Sequence, residues 1–189
     1  MRFIVYDLET ELPALRRGEV PEYGTTYAPR FDPAEMGISV LCAFDSLEET
    51  YHVYLEDNLQ DFQKLIWEAD TLVGFNNIRF DNQALAAKGL HVPTEKCYDI
   101  LQHIRDARDG SFAGHSLDAM CERNFNETKG DLGSAAPKNW QMGRRGSVIN
   151  YCLRDVHLTK RLFDAIIDGP GLISPVDGSL LYLSHPAIY

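Results

Sequence analysis

The stretch Phe3-Ile-Val-Tyr-Asp-Leu-Glu-Thr10 decides the fold. Residues 2 to 8 are rich in β-formers and almost continuously apolar, the composition of a central strand covered on both faces. Two acids, Asp7 and Glu9, fall at the end of that run. Side chains alternate faces along a strand, so these two point the same way. Carboxylates held side by side repel one another unless a cation sits between them.

Two further acids occupy comparable settings. Asp81 closes Gly74-Phe-Asn-Asn-Ile-Arg-Phe-Asp81, and Asp155 lies in Tyr151-Cys-Leu-Arg-Asp-Val156. Residues 147 to 167 carry the strongest helical pattern of the chain. Tyr151 and Asp155, four apart, stack there on one face with Val148, Cys152, Leu162 and Ile166, which makes Asp155 an acid on a buried side. A buried carboxylate is costly unless paired or bound to a metal, so several converging on one place imply divalent cations and metal-dependent phosphoryl chemistry. Each residue alone has a blander reading. Asp-x-Glu at a strand end is commonly a surface pair, Asp81 would suit a helix cap, and Tyr151 would suit a core. Their conjunction favours the site.

Working outward, residues 11 to 36 hold Pro13, Pro21, Pro29 and Pro33 with Gly18 and Gly24, a long irregular excursion of the kind that is functional or mobile in compact domains. Ile38 to Phe44 and Thr50 to Leu55 read as two strands joined by a polar turn at Asp45-Ser46, completing an antiparallel meander of three. Leu59, Phe62, Leu65, Ile66 and Ala69 recur at helical spacing, so residues 58 to 69 form a helix capped by Asp57 or Asn58. Thr71 to Phe75 is a strand, and a helix from Phe80 to Lys88 stops at Gly89. Residues 97 to 107 and 115 to 124 read as helices, and 126 to 146 as an irregular stretch. His115 reads as a capping-region or solvent-facing histidine rather than a ligand. A hairpin is expected around Asp177-Gly178. The fold class is α/β, a mixed sheet flanked by helices, with a single domain over 1–168 and the tail 169–189 belonging to it.

Global properties set limits. With 189 residues and 44% hydrophobic composition there is one full core. A formal net charge of −10 argues against broad electrostatic adhesion to nucleic acid or anionic membrane. It leaves room for a local groove whose acids are neutralised by cations. Cys42, Cys97, Cys121 and Cys152 are scattered, without the spacing of a zinc site or disulfide framework. The first apolar run is broken by Asp7, too early for a signal peptide or membrane span, so a cytoplasmic protein is expected.

Asp7-Leu-Glu9, Asn76-Asn-Ile-Arg-Phe-Asp81 and Tyr151-Cys-Leu-Arg-Asp155 resemble the three exonuclease motifs of the DEDD superfamily of 3′–5′ exonucleases, which has a ribonuclease H-like fold. The tyrosine four residues before the last aspartate is similar to the DEDDy branch, which includes polymerase proofreading domains and ribonuclease D. In the DEDDh branch a histidine would stand where this chain has Asn150. Ser116-Leu-Asp-Ala-Met-Cys121, Lys129-Gly130 and the run from Tyr151 to Thr159 further resemble the proofreading domains of B-family DNA polymerases. The resemblance covers about residues 2 to 166 with no polymerase domain after them, so a stand-alone exonuclease, of phage or prophage origin, is the expectation.

The resemblance implies a two-metal 3′–5′ exonuclease releasing nucleoside 5′-monophosphates from a single-stranded end, with DNA favoured over RNA. Asp7, Glu9, Asp81 and Asp155 would hold two Mg²⁺ or Mn²⁺ ions, and Tyr151 would orient the attacking water. Thr10, either Asn76 or Asn77, and Phe80 would meet the last nucleotides. The partners implied are a nucleic-acid 3′ end and a replication or repair protein, with no membrane. A ribonuclease D-like RNA exonuclease, a catalytically silent binding module, and an endonuclease or phosphatase on the same fold are the alternatives. Arg144-Arg145, with Lys138 and Trp140 nearby, is a candidate phosphate-contacting loop.

Overall fold

The computed structural model describes residues 1–15, 17–128 and 135–185. Its centre is a five-stranded sheet in the order β3-β2-β1-β4-β5. The apolar N-terminal run forms β1 (Phe3–Glu9), with β2 (Val40–Asp45) antiparallel on one side and β4 (Thr71–Gly74) parallel on the other. β3 (Thr50–Tyr54) pairs antiparallel with β2 and completes the expected meander. Every residue of β2 and β4 is buried, as the apolar runs Val40–Phe44 and Leu72–Val73 favour, and the burial extends to the polar Asp45 and Thr71 at the strand ends.

The two faces of the sheet carry separate cores. On one, Ile4, Tyr6, Leu41 and Leu72 pack against α1 (Phe62–Glu68) and α2 (Asp81–Ala87) through Phe62, Ile66 and Leu85. On the other, Val5, Cys42 and Val73 meet the long C-terminal helix α6 (Arg145–Asp168) through Val148, Cys152, Val156 and Phe163. α3 (Ile100–Ala107) and α4 (Leu117–Phe125) close this second layer with Ile104 and Met120. Alternation along β1 therefore sends Tyr6 and Leu8 to the α1–α2 side and Val5, Asp7 and Glu9 to the α6 side. That division brings the acid pair to the helix bearing Asp155.

The structure corrects several boundaries. Residues 97–107 are not one helix: Cys97–Asp99 is β5, parallel to β4, and only then does α3 begin. A three-residue strand is too short to display a period, and Asp99 ends it by accepting the Gln102 amide at 3.2 Å as the α3 cap. Within 126–146 lies a further helix, α5 (Ala136–Gln141), and α6 starts at Arg145. The helix expected from residue 58 opens as a 3₁₀ turn, Leu59–Asp61, with no side-chain cap; Asn58 instead accepts the Leu55 amide at 2.7 Å. Gly89 does terminate α2, at φ +81°, with Leu90 N–H donating back to Leu85 O.

The tail folds onto the α6 layer. β6 (Leu172–Ile173) and β7 (Leu180–Leu181) pair antiparallel across the Asp177-Gly178 turn, and Leu172 and Leu181 are buried in the same core as α6. His115 is buried, not solvent-facing. Its Nδ1 lies 2.9 Å from Ala113 O and its Nε2 3.0 Å from Ser174 Oγ, so the imidazole pins this hairpin to the segment before α4. A carbonyl only accepts, which puts a ring proton on Nδ1.

Candidate active site

β1 and β4 pair only from Phe3–Thr71 to Val5–Val73, and beyond that point they part. A cleft of about 620 Å³ opens where they separate, at the C-terminal end of the parallel pair, the usual position of a site in an open α/β sheet. Its lining includes Asp7, Glu9, Asp81, Tyr151 and Asp155. Five residues singled out across nearly 150 positions of sequence thus share one surface. One carboxylate oxygen from each of Asp7, Glu9 and Asp155 lies within 4.8 Å of the other two, a spacing suited to a metal ion. Asp155 is only 2% exposed, so its charge has little access to bulk water. All-oxygen donors of this kind suit Mg²⁺ or Mn²⁺.

The neighbours of each acid explain how it is held. Cys152, next to Tyr151 and three residues before Asp155 on α6, donates its thiol to Asp7 O at 3.3 Å and lies 3.8 Å from Asp7 Oδ2, joining helix to strand. Burial first, then the adjoining Cys42 and the Asp7 charge, push that thiol well above its ordinary pKa, so it remains a donor at neutral pH. Asp81 does not cap its own helix. Phe80 holds that position, and Asp81 Oδ1 accepts Leu8 N–H at 3.1 Å, serving the strand amide that β4 no longer reaches.

The loop that delivers Asp81 depends on residues the sequence did not mark. Asp99 accepts the Asn76 amide at 2.9 Å and the Ile78 amide at 3.2 Å, and so holds both sides of the turn in which Asn76 sits at φ +68°. Asn77 lies beneath, fully buried. Its Nδ2 donates to Tyr6 Oη at 2.8 Å, and Tyr6 donates to Asn82 Oδ1 at 2.5 Å. Burial above all pushes the Tyr6 hydroxyl well above its usual pKa, fixing it as a donor. Asn76, Thr10 and Phe80 line the cleft, whereas Asn77 does not; the asparagine that faces substrate space is Asn76. Gly74 is required by this folding-back, because a Cβ there would stand 2.5 Å from Asn77 Cγ. Gly74→Ala is expected to cost about 1–3 kcal/mol in urea unfolding, as overpacking does. An unchanged midpoint and slope would show that the loop yields freely.

The excursion at 11–36 forms the opposite wall. Pro13, Leu15, Glu19, Val20, Glu22, Tyr27, Phe31 and Met36 contribute to the cleft, which no periodicity could have indicated. Lys138 of α5 also lines it but is paired to Glu22 at 2.5 Å. Arg144 and Arg145 lie outside this lining. Arg144 donates to Asn139 Oδ1, and Arg145 stacks over Trp140 at 4.9 Å beside a second pocket lined by Glu11, Glu56 and Asp57. Arg145 thus shares a pocket with three acids away from the cleft, while Arg144 is engaged by Asn139. Lys129 and Gly130 lie outside the described residues.

A family model described as 3′–5′ exonuclease matches residues 31–168. The chain belongs to the 3′–5′ exonuclease family. Family members are hydrolases acting on nucleic acid. The match takes in Asp81, Tyr151 and Asp155 and begins after β1, and geometry alone brings Asp7 and Glu9 beside them. The chain is also similar in fold to the family B DNA polymerase of the hyperthermophilic archaeon Pyrobaculum calidifontis. The TM-score is 0.56 at 19% identity, over 96% of this chain and 26% of that one. The chain thus spans about a quarter of the length of that polymerase. No curated protein matches it. Among the described residues no helix is long and apolar enough to cross a membrane.

Proposed function

We propose that this exonuclease is a metal-dependent enzyme of the DEDDy type that removes nucleoside 5′-monophosphates from the 3′ end of single-stranded nucleic acid, DNA in preference to RNA. The observation that carries the reading is the approach of Asp7, Glu9 and Asp155 oxygens to within 4.8 Å in a cleft also lined by Asp81 and Tyr151. Asp7, Glu9 and Asp155 would hold one divalent cation, and Asp7 with Asp81 would serve a second. When bound, such ions activate a water and stabilise the leaving oxygen of an in-line displacement at phosphorus. The preference for DNA is supported by likeness of fold to a DNA polymerase and by the polymerase-like motifs around Ser116 and Tyr151.

The chain's own groups divide the remaining work. Tyr151, 6% exposed on the α6 face toward the cleft, presents its hydroxyl for orienting the attacking water. Its role there would be that of a hydrogen-bonding guide to the water. Thr10 and the backbone beside Glu9 would receive the terminal 3′ hydroxyl, and Asn76 and Phe80 the last nucleotide. The region 1–168 would act as one catalytic domain to which the tail 169–189 belongs, and the β6–β7 hairpin supports α6.

The decisive experiment is shortening of a 5′-labelled single strand in Mg²⁺ or Mn²⁺, run in parallel on matched DNA and RNA. A one-nucleotide ladder that is faster on DNA is expected; faster cleavage of RNA would favour the ribonuclease D-like alternative. Cleavage of circular single strands would instead make the enzyme an endonuclease. Tyr151→Phe is expected to lower kcat by about a hundredfold with KM nearly unchanged, the cost of a misplaced nucleophile. Full activity in that variant would remove Tyr151 from the mechanism.

A further inference from the structure

The excursion at 11–36 is built as a strap across the cleft. Its two legs are joined by an Ala14–Ala28 bridge, by Ala28 N–H to Pro13 O at 2.9 Å and by Leu12 N–H to Met36 O at 2.9 Å. Its far part is tied to α5. The Gln141 amide accepts Thr26 N–H at 2.9 Å and donates to Thr26 O at 2.9 Å and Glu11 O at 3.1 Å, while Lys138 pairs with Glu22. A side chain that pairs with both backbone groups of one residue fixes its position much as a neighbouring strand would.

Held this way, the strap turns apolar side chains to the outside. Val20 is 83% exposed and Phe31 70%, yet both line the cleft. Keeping such groups in water on a tethered segment has no packing benefit, so their use lies in what enters the cleft. Phe31 does not stand alone. Its ring lies 6.1 Å from that of Phe80, tilted by 47°. Phe80 directly precedes Asp81, which places its ring beside the acids, and Phe31 adjoins it from the strap. The separation and tilt leave no room for a base between the rings, so they form two adjoining steps. Such π-faces accept any base without reading its edges.

We infer that Phe31 is a substrate-binding residue supplied by the strap, which stacks the base next to the 3′-terminal one and so makes the cleft selective for unpaired ends. The inference rests on the nuclease reading above. A paired base has its faces covered by its neighbours in the stack and its movement restricted by its partner strand, so only an unpaired strand can lay successive bases on Phe80 and then Phe31.

The test uses the full chain and a 5′-fluorescein-labelled dodecathymidylate, with binding read by anisotropy in Ca²⁺ and degradation in Mn²⁺. Phe31→Ala is expected to raise Kd and KM about five- to tenfold, with kcat within twofold, and Phe31→Trp to restore both. The same strand with an abasic position next to its 3′ end should bind the parent about five- to tenfold more weakly and bind Phe31→Ala no more weakly than the intact strand does. Because Phe31 is exposed, loss of fold does not confound the variant. Equal affinity of parent and Phe31→Ala for the intact strand overturns the inference, as does an abasic penalty that is the same in both. If the parent binds with the expected Phe31 dependence but cuts nothing in any divalent metal, the catalytic reading fails and the stacking role stands.

Discussion

Asp155→Asn is expected to abolish strand shortening, lowering turnover by at least about a thousandfold, while in chelator the variant should melt no lower than the parent. A loss of that size corresponds to about 4 kcal/mol of transition-state stabilisation. The argument runs through position. Asp155 is held on the buried face of α6, where its carboxylate comes within 4.8 Å of Asp7 and Glu9 on β1. Three like charges at that spacing destabilise one another unless a cation intervenes, so one neutral amide relieves the fold while depriving a cation of a ligand. The same reasoning gives a readout independent of turnover. Mn²⁺ should raise the melting temperature of the parent, because a ligand that binds only the native state stabilises it, and should do so much less for Asp155→Asn or Asp7→Asn. A variant that keeps both turnover and the Mn²⁺ shift would place the metal elsewhere.

The features that made this site legible share one physical trait: each is a violation of a local rule. An acid pair ending a buried strand and an acid on the apolar face of a helix conflict with burial, and such conflicts gather at functional sites. Asp7, Glu9, Tyr151 and Asp155 declare themselves for that reason, and alternation along β1 correctly sends the pair to one face. Strand β5 did not, because Cys97-Tyr98-Asp99 is decided by pairing with Leu72–Gly74, a contact far away in sequence. Asp99 shared that fate. Its role of gripping the Asn76 and Ile78 amides exists only once β4 and β5 lie side by side. The strap was visible as an excursion rich in proline and glycine, but its direction is set by Gln141 and Lys138, more than a hundred residues away. Short patterns report on burial; they do not report on which distant backbone a polar side chain will grip.

Arg2→Ala is expected to destabilise the fold by about 3–5 kcal/mol, a fall of about 10 °C in Tm for a chain of this size. Arg2 grips Asp45 with two bonds, Nε to Oδ1 at 3.1 Å and Nη2 to Oδ2 at 2.5 Å, and reaches Glu68 at 2.7 Å. Its backbone N–H also donates to Asp70. One residue thereby staples the start of β1 to the end of β2 and to the turn between α1 and β4. The Asp45 carboxylate has no side-chain exposure, so removing its partner leaves a buried charge uncompensated. Burial alone would push the Asp45 carboxyl up, but the Arg2 guanidinium and the Leu47 amide outweigh it and hold it below the ordinary value. A depressed carboxyl stabilises the fold above its unfolded pKa, near 4, and that contribution drains away as the pH falls through the lower folded value. The gap in stability between parent and Arg2→Ala should therefore be full at pH 7 and narrow progressively below about pH 4. Arg2→Lys should recover only part of it, since an ammonium cannot reproduce the two-pronged contact. Urea unfolding of the three proteins at pH 7 and pH 3.5 measures this directly. A gap that stayed the same at both pH values would mean that the arginine acts through packing of its side chain rather than through its carboxylate partners.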